Sequence, residues 1–366
     1  MNARPSTSGA NFAVLRSVSE PKTPLLGSLA GIAADRGAVT IEARITELRD
    51  FLHEDLAAIE AGLAGLDRRD TPLHESANHL VGAGGKRLRP LCVALAARVG
   101  TGFSDAVRDL AIAAELVHSA TLLHDDVVDL GEKRRGADAA RMIYGNAASI
   151  FAGDWLLVEA LTRVQRAGMP DVLDRALKVL GQMLEAEALQ LARRGKVTCS
   201  RSEYTEIVQG KTASLFRWAM FAGARAGGAP PNVIEALETF GERVGIAFQI
   251  VDDTLDVEGD AVGLGKNLFA DLREGKVTYP LMVALERSDG LRDLLERNLS
   301  VEGEITDPGV LARAAEAMRE TGALHQARAW ARELIDEARV ALLAVPLGPA
   351  RLALESVAES IVTRSK

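Results

Sequence analysis

Two short segments of the chain each carry three aspartates in the same pattern. Residues 125–129 read Asp-Asp-Val-Val-Asp, and residues 252–256 read Asp-Asp-Thr-Leu-Asp. On a helix, the first and last aspartates of each segment share a face, because four residues make slightly more than one turn. Carboxylates this close repel one another unless a cation lies between them. Oxygen ligands, with no His or Cys at metal-ligand spacing, favour a hard ion such as Mg²⁺, which also binds phosphate oxygens.

A solvated acidic helix face is the alternative explanation for either segment taken alone. Both segments, however, are flanked by apolar residues, as in the run Leu122-Leu123 before the first and Ile250-Val251 before the second. A purely solvent-exposed face does not require such flanks. The pair therefore favours two carboxylate walls that share metal ions with a phosphorylated substrate.

Cations and polar groups that could bind phosphate occur close to both acidic motifs. His118 precedes Asp125 by seven residues, or about two helical turns, and so lies on nearly the same stripe. Guanidinium groups bind phosphate oxygens in pairs and stay charged, and a glycine-rich turn before a helix offers backbone N–H groups to an anion. Each such residue taken singly is more often structural or solvent-exposed. Their positions near the acids make them candidates: Lys86, Arg89, His118, Arg134, Arg135, Lys211, Thr212, Gln249, Lys266 and Lys276.

Composition narrows the functional classes. The chain has 366 residues, of which 48% are hydrophobic and 26% charged, and its net charge is -8. These values are ordinary for a water-soluble protein, and the negative charge argues against general nucleic-acid binding, which requires a basic surface. No apolar run approaches the roughly 20 residues that a membrane-spanning helix needs. The two cysteines, Cys92 and Cys199, provide no disulfide framework and fit a reducing compartment.

The hydrophobic periodicity predicts an all-α fold. Residues 1–40 show no sustained periodicity and are predicted to form a flexible tail, which has the basic excess of a targeting peptide but no continuous apolar stretch for secretion. From Ile41 apolar residues recur every three or four positions, and no alternating strand pattern interrupts them. We therefore predict a single helical domain over 41–366, with its clearest helices at 91–99, 105–130, 147–167, 172–193, 202–226, 233–257, 278–286, 311–320 and 325–344.

Seven segments, in this order along the chain, carry a resemblance to one family. They are 84–90 (Gly-Gly-Lys-Arg-Leu-Arg-Pro), 118–129, 134–136, 145–154, 210–212, 248–256 and 265–280. The chain resembles the trans-polyprenyl diphosphate synthases, which are head-to-tail isoprenyl transferases, and the resemblance covers residues 41–366. It implies a bundle of antiparallel helices around a deep central cavity, with the two acidic motifs facing each other across its mouth. It also implies a cytoplasmic homodimer that contacts membranes transiently to release its product.

The resemblance implies a role for each candidate residue. The allylic diphosphate would be held by Mg²⁺, three ions per active site when substrate is bound, on Asp125, Asp126, Asp129, Asp252, Asp253 and Asp256. Further contacts to the same diphosphate would come from Arg134, Lys211, Lys266 and Lys276. The diphosphate of isopentenyl diphosphate would be held by Lys86, Arg89, His118 and Arg135. Oxygen dipoles near the reacting carbon would come from Thr212 and Gln249.

The chain length of the product depends on the residues below the first motif. Ala120 and Thr121 are small where short-chain members carry aromatic residues, which implies a deep tunnel and a medium- or long-chain product. A floor built lower down, by Phe151, Trp155 or Met142, would instead give a geranylgeranyl- or farnesyl-length product. The family often has Gly followed by Asp where Phe269-Ala270 stands here, so we expect the loop that carries Lys266 to close differently over the diphosphate.

Two other classes remain as alternatives. A non-catalytic partner subunit of a heteromeric synthase would usually lack some of the acids or cations, whereas both sets are complete here. A terpene cyclase also uses an all-α cavity with acidic metal-binding motifs. It would not need an isopentenyl diphosphate site, so Lys86, Arg89, His118 and Arg135 argue against it.

Overall fold

The computed structural model describes the backbone of residues 39–258 and 269–364 and, from Phe51 onward, their side chains. Within these residues the protein is almost entirely helical. The predicted tail falls outside the description except at Val39 and Thr40, where the first helix begins, and Lys266 also lies outside it. No helix in the described ranges combines the length and hydropathy needed to cross a bilayer.

The α-helices follow one another with short connections. They are α1 (Val39–Ala64), α2 (Pro72–Gly82), α3 (Leu88–Arg98), α4 (Asp105–Val128), α5 (Ala140–Tyr144), α6 (Asn146–Arg166), α7 (Pro170–Arg193), α8 (Arg201–Val208), α9 (Ser214–Ala226), α10 (Pro231–Glu258), α11 (Ala270–Arg273), α12 (Tyr279–Arg287), α13 (Leu291–Arg297), α14 (Pro308–Glu320), α15 (Ala323–Ala341) and α16 (Pro349–Thr363). A π-helical turn, Gln209–Ala213, joins α8 to α9, and a 3₁₀ turn, Leu342–Ala344, follows α15.

Local sequence signals explain where several of these helices start. The Ser104 side chain accepts the backbone N–H of Val107 and so caps α4, and Pro occupies the first turn of α7. Ser200 and Glu203 form a reciprocal capping box at the start of α8. These caps satisfy backbone N–H groups that the first helical turn leaves without partners.

Helix α4 lies at the centre of the bundle and packs on α3, α6 and α9, while α10 packs between α9 and α15. On α4, the side chains of Leu110, Leu116 and Leu123 are fully buried, and burial of each stabilises the fold by about 1.5–3 kcal/mol. Close backbone approach also joins α9 to α3, since a Cβ on Gly223 of α9 would lie 2.1 Å from the carbonyl oxygen of Val93 on α3. The centre of the bundle therefore holds α4 and α10 in fixed positions, and these two helices carry the acidic motifs.

The prediction of an all-α fold is confirmed. One short antiparallel ladder was not predicted: strands β1 (Lys133–Arg134) and β2 (Ala137–Asp138) pair Lys133 with Asp138 and Arg134 with Ala137. Strands of two residues show no alternation that a sequence could reveal. The ladder matters because Arg134 lies in β1 and Arg135 lies in the turn that follows it.

Candidate active site

The two acidic motifs end two different helices. Asp125 and Asp126 lie in the last turn of α4 and Asp129 is its C-cap, while Asp252, Asp253 and Asp256 lie in the last two turns of α10. A helix C-terminus carries a partial negative charge, which disfavours acids and favours cations. Both motifs therefore place carboxylates at helix ends whose backbone carbonyls are already partly negative. This arrangement is electrostatically unfavourable unless cations bind there.

Lysines connect the two motifs in space. The ammonium of Lys276 donates to Asp129 over 2.8 Å and lines the same cavity as Asp253. The ammonium of Lys211 lies 4.0 Å from Asp125 and lines that cavity too. The structure thus brings the acidic ends of α4 and α10 to one site, with lysines between them.

The outer and middle aspartates of the first motif have different surroundings. Asp126 is fully buried, and its Oδ1 accepts hydrogen bonds from Nε and Nη2 of Arg134 over 2.8 and 2.6 Å. Asp129 is paired with Arg194 as well as with Lys276. Burial raises the pKa of Asp125 to about 6, and Lys211 acts in the opposite direction. The middle aspartate, Asp126, therefore holds Arg134 in place. The outer two, Asp125 and Asp129, lie beside lysine and arginine side chains.

The second motif repeats this difference. Asp253 is buried and accepts hydrogen bonds from the Tyr204 hydroxyl at 2.7 Å and from Nε2 of Gln249 at 2.8 Å. Asp252 is half-buried and lies 3.3 Å from a guanidinium nitrogen of Arg364. Asp256 accepts the backbone N–H groups of residues 270 and 271. Burial, reinforced by Asp271, raises the pKa of Asp256 to about 7.

The donor set fits a hard divalent cation. Its members are carboxylate oxygens, and several of them bear an electrostatic cost that a cation would relieve. Asp126 also retains a buried oxygen, Oδ2, without a hydrogen-bond partner among the described residues. Within those residues no three His, Cys, Asp or Glu side chains already converge at coordinating distance. In this structure Asp129 is instead paired with Lys276 and Arg194.

A π-helical turn positions the next two predicted residues. Lys211 donates to Glu187 at 2.7 Å and to Gln190 at 2.9 Å, and the Thr212 hydroxyl donates to Oε1 of Gln249 at 2.8 Å. Such turns are rare and often mark functional sites. Gly210 permits it here, since a Cβ at this position would lie 2.6 Å from the Cβ of residue 186 on α7. The turn thereby places Lys211 on the wall of the cavity that Asp253 of the second motif also lines.

A separate basic cluster lies beside the glycine-rich turn. Arg87 adopts a left-handed conformation and is buried, with Nη1 2.6 Å from Glu115 and Nε 3.1 Å from Glu60. Arg135, also left-handed, donates to the carbonyls of Leu80 and Gly84 and lies 3.5 Å from Glu115. Glu115 therefore holds both arginines of this cluster in place.

Arg89 and His118 complete the cluster. Arg89 is buried, its guanidinium lies 4.7 Å from the centre of the Phe216 ring, and burial lowers its pKa to about 10, so it stays charged at neutral pH. Burial and the neighbouring guanidinium groups, Arg89 first among them, lower the pKa of His118 well below its usual value. His118 is therefore uncharged and can donate or accept a hydrogen bond. Lys86 is half-buried and lies two residues before the start of α3.

The residues below the first motif differ in burial. Ala120 is fully buried, and the half-buried Thr121 donates its hydroxyl to the carbonyl of His118 at 2.8 Å. Phe151 and Met142 are exposed, so they do not close the interior of a single chain. Trp155 contacts His74 of α2, with ring centres 4.8 Å apart and ring planes tilted by 60°. Phe151 and Met142 therefore do not form a floor within a single chain, whereas Trp155 is partly buried against the core.

Several residues of the site were not anticipated from the sequence. Each of them contacts a predicted residue or lines the same cavity as one. They are Glu115, Glu187, Gln190, Arg194, Tyr204, Asp271 and Arg364. Spacing offers a signal for two of them, since Glu187 and Gln190 lie three residues apart on one face of α7. Nothing local in the sequence pairs Arg364 with Asp252, which is 112 positions away.

Comparisons with known proteins agree with this geometry. The Polyprenyl synthetase family matches residues 70–318. Heptaprenyl diphosphate synthase component 2 of Geobacillus stearothermophilus is 34% identical over 316 residues, which are 86% of this chain and 97% of that protein. Octaprenyl diphosphate synthase of Escherichia coli K12 is 33% identical over 323 residues, 88% of this chain and 99% of that one.

A solved structure is similar in both sequence and fold. The polyprenyl synthase of Caulobacter crescentus, crystallised with calcium and isoprenyl diphosphate, has a TM-score of 0.83 and 36% identity, covering 88% of this chain and 98% of that one. The acidic helix ends, the basic cluster and these relatives lead to one conclusion. The chain belongs to the polyprenyl synthetase family, and it is a prenyltransferase.

Proposed function

We propose that the protein condenses an allylic diphosphate with isopentenyl diphosphate in a Mg²⁺-dependent reaction that extends a trans-prenyl chain by five carbons. The observation that carries this proposal is the approach of two acidic helix ends, from α4 and α10. Lys276 pairs with Asp129, Lys211 lies 4.0 Å from Asp125, and both lysines line a cavity together with Asp253. The basic cluster beside it supplies a second anion site. Two diphosphate substrates require two such sites.

The allylic diphosphate would bind at the acidic helix ends. Mg²⁺ held by the outer aspartates Asp125, Asp129 and Asp252 would neutralise the diphosphate as it leaves. Lys276 and Lys211, which pair with carboxylates in this structure, would turn toward diphosphate oxygens. The buried middle aspartates, Asp126 and Asp253, and the outer Asp256 would support the site, together with Arg134 and Lys266.

Isopentenyl diphosphate would bind at the basic cluster through Lys86, Arg89, Arg135 and the neutral His118. The allylic carbon–oxygen bond then ionises, and the isopentenyl double bond attacks the resulting cation at about van der Waals distance. Loss of a proton completes the new chain. Thr212 and Gln249 are hydrogen-bonded to each other and present oxygen dipoles to the cation, and the apolar helices around them exclude water.

We propose a medium- or long-chain product. Support comes from the small side chains of Ala120 and Thr121 and from relatives named heptaprenyl and octaprenyl diphosphate synthases. A geranylgeranyl or farnesyl end point is the alternative. The proposed chain length concerns only the end point of elongation, and the proposed condensation does not depend on it.

We further propose that the enzyme acts as a homodimer in the cytoplasm. Large apolar side chains are exposed on α5 and α6, among them Met142, Ile143, Phe151 and Val158. Leu177, Leu184 and Leu191 are exposed at seven-residue intervals along α7, a spacing suited to packing on another helix. The free thiols of Cys92 and Cys199 fit a reducing compartment. Light scattering on the purified protein would give the mass of a dimer, and a monomer at micromolar concentration would contradict this proposal.

Transient contact with a membrane would remove an insoluble product. The turn between α15 and α16 exposes Leu343 and Leu347, and the adjoining helix ends expose Val340 and Leu352. Such a patch suits weak adsorption to lipid. Flotation with phospholipid vesicles tests this contact. We expect partial co-flotation that decreases when Leu343 and Leu347 are replaced by Ser, and no flotation would contradict it.

One assay tests the proposed function. Purified protein is incubated with Mg²⁺, labelled isopentenyl diphosphate and geranyl, farnesyl or geranylgeranyl diphosphate, and the dephosphorylated products are separated by chromatography. We expect extended prenyl alcohols with at least one primer and none after addition of EDTA. Absence of elongation with every primer would refute condensation, whereas a farnesyl or geranylgeranyl end point would refute only the chain length.

A further inference from the structure

Three connecting segments that are far apart in the sequence meet at one point, and each contributes a glycine. Gly195 lies between α7 and α8, Gly275 between α11 and α12, and Gly303 between α13 and α14. Their φ angles are positive, at 73°, 68° and 83°, a conformation that glycine adopts without steric cost. We call the contact of these three residues the glycine junction.

The backbones in the glycine junction approach too closely for side chains. A Cβ on Gly275 would overlap the carbonyl oxygen of Gly303, and a Cβ on Gly303 would lie 2.9 Å from the Cα of Gly195. Two hydrogen bonds join the same segments: the N–H of Gly195 donates to the carbonyl of Gly275 at 3.0 Å, and the N–H of Ile305 donates to that of Arg273 at 3.0 Å. The three segments are therefore fixed to one another by backbone contacts.

Two cations of the proposed allylic diphosphate site lie directly beside the glycine junction. Arg194 immediately precedes Gly195, and Lys276 immediately follows Gly275. Their side chains meet on Asp129, where Arg194 donates to Oδ1 and Lys276 donates to Oδ2 over 2.8 Å. These three side chains are no more than 17% exposed. The relative placement of the two glycines therefore decides whether both cations reach the same carboxylate.

The segment that carries Gly303 contributes to the site in a different way. Its tip is solvent-exposed at Val301, and none of the described residues that line the cavity beside the acids comes from this segment. A tight turn gives the segment its shape: the N–H of Gly303 donates to the carbonyl of Ser300 at 3.0 Å, and the N–H of Ser300 donates to that of Glu304 at 2.8 Å. Its contact with the other two segments is made by the backbone of this turn.

We infer that Gly303 is a positioning residue for the allylic diphosphate site, because its backbone packs against the two segments that carry Arg194 and Lys276 and so sets where both cations lie on Asp129. The inference rests on the proposed binding of the allylic diphosphate at the acidic helix ends. Cations stabilise a leaving diphosphate best when they are in place before the reaction. A misplacement of about 1 Å can lower a rate by roughly a hundredfold.

A pair of glycines that flank α13 provides the test and its matched control. Gly303→Ala adds a Cβ inside the glycine junction. Gly290 has nearly the same φ angle, 80°, and a Cβ there would meet no atom within 4 Å. Both alanine substitutions therefore introduce similar left-handed strain, but only Gly303→Ala displaces the neighbouring segments.

Inorganic pyrophosphate measures the effect without turnover. Calorimetric titrations of the full-length protein with Mg²⁺, and again with EDTA, give the Mg²⁺-dependent part of the affinity. We expect Gly303→Ala to weaken this part by about tenfold, less than the roughly hundredfold that a full 1 Å misplacement can cost. Gly290→Ala should leave it unchanged. In steady-state kinetics, Gly303→Ala should raise the KM of the allylic primer and leave the KM of isopentenyl diphosphate unchanged.

Combining two substitutions shows whether Gly303 acts through the cations. Arg194→Gln removes one of them, so Gly303→Ala has less left to displace in that background. We expect the loss of pyrophosphate affinity in the double variant to be smaller than the product of the two single losses, as for residues that are energetically coupled. Losses that simply multiply would show that Gly303 acts independently of Arg194 and would overturn the inference.

The remaining outcomes separate the inference from the proposed function. Unchanged Mg²⁺-dependent pyrophosphate binding in Gly303→Ala, or equal weakening in Gly290→Ala, would overturn the inference and leave the condensation intact. Absence of elongation by the unmodified protein, with the expected titration differences, would refute the condensation alone. Should Gly303→Ala fail to fold, as judged by circular dichroism, hydrogen exchange of the unmodified protein decides. Pyrophosphate with Mg²⁺ should slow exchange in the peptides that contain Gly195 and Ile305, and slowing confined to the peptide with Lys276 would overturn the inference.

Discussion

Replacing Glu115 by Gln should loosen the basic cluster without changing its shape. Glu115 is buried on α4 and accepts Nη1 of Arg87 over 2.6 Å, while Arg135 lies 3.5 Å away. The glutamine retains the side-chain length but loses the charge that two guanidinium groups face. Arg87 keeps a second acid, Glu60, at 3.1 Å. After the substitution, the charge of Arg87 still faces the carboxylate of Glu60, whereas Arg135 loses the carboxylate of Glu115.

The magnitude follows from burial. The side chains of Arg87 and Glu115 are only 4% and 2% exposed, and removing one partner of a buried ion pair typically costs about 3–5 kcal/mol. Because Glu60 still pairs with Arg87, we expect the free energy of unfolding to fall by the lower end of this range, about 3 kcal/mol. At about 2–4 °C per kcal/mol for chains somewhat smaller than this one, the melting temperature should fall by about 6–12 °C.

The functional effect should fall on one substrate. A displaced Arg135 would weaken isopentenyl diphosphate binding, so its KM should rise by about tenfold, equivalent to about 1.4 kcal/mol. The KM for the allylic primer should change much less, because Lys211, Lys276 and Arg194 do not contact Glu115. Differential scanning fluorimetry and steady-state kinetics, with each substrate varied in turn, measure both effects.

A matched control distinguishes loss of stability from loss of substrate binding. Asp55 is 2% exposed and pairs over 2.6 Å with Arg98, which is not part of the basic cluster. Asp55→Asn should lower the melting temperature without altering either KM. A fall of less than about 2 °C in Glu115→Gln, or equal changes in both KM values, would refute the role assigned to Glu115.

Three further predictions concern other parts of the site. Gly210→Val should abolish activity and lower the melting temperature, because its Cβ would lie 2.6 Å from the Cβ of Ala186; normal kinetics in this variant would contradict the close packing of the π-helical turn. Tyr204→Phe should cost about 1–3 kcal/mol in the free energy of unfolding, measured with urea, since buried Asp253 loses a donor at 2.7 Å; an unchanged midpoint would argue against that bond. Mg²⁺ with inorganic pyrophosphate at a hundred times its Kd should stabilise the protein by about 2.7 kcal/mol in thermal unfolding, whereas the same shift without Mg²⁺ would contradict joint binding.

The sequence predicted the acidic motifs and the helices that carry them because both signals are local. Four-residue spacing puts the outer aspartates on one face and the middle one about 100° aside. The structure shows this difference: Asp126 and Asp253 are buried and hydrogen-bonded, while Asp125 and Asp252 remain partly exposed. The roles assigned to individual metal and diphosphate ligands stay predictions.

Long-range contacts account for what the sequence did not reveal. Arg364 meets Asp252, and Arg194 meets Asp129, through packing of distant helices rather than through spacing. Glu115 is an acid within an apolar helix, and only the packing of the fold brings Arg87 and Arg135 beside it. The π-helical turn is likewise a consequence of packing on α7, since Gly210 alone does not specify it.

The positions of metal ions bound with an allylic diphosphate analogue would test the central claim most directly. Crystals grown with Mn²⁺ in place of Mg²⁺, together with a non-hydrolysable allylic diphosphate, give anomalous peaks that locate each ion. We predict peaks within coordination distance of Asp125, Asp129 and Asp252, with Lys276 turned from Asp129 toward diphosphate oxygens. Analogue bound in the cavity with Lys276 still paired to Asp129, and with no anomalous peak at either acidic helix end, would contradict the account.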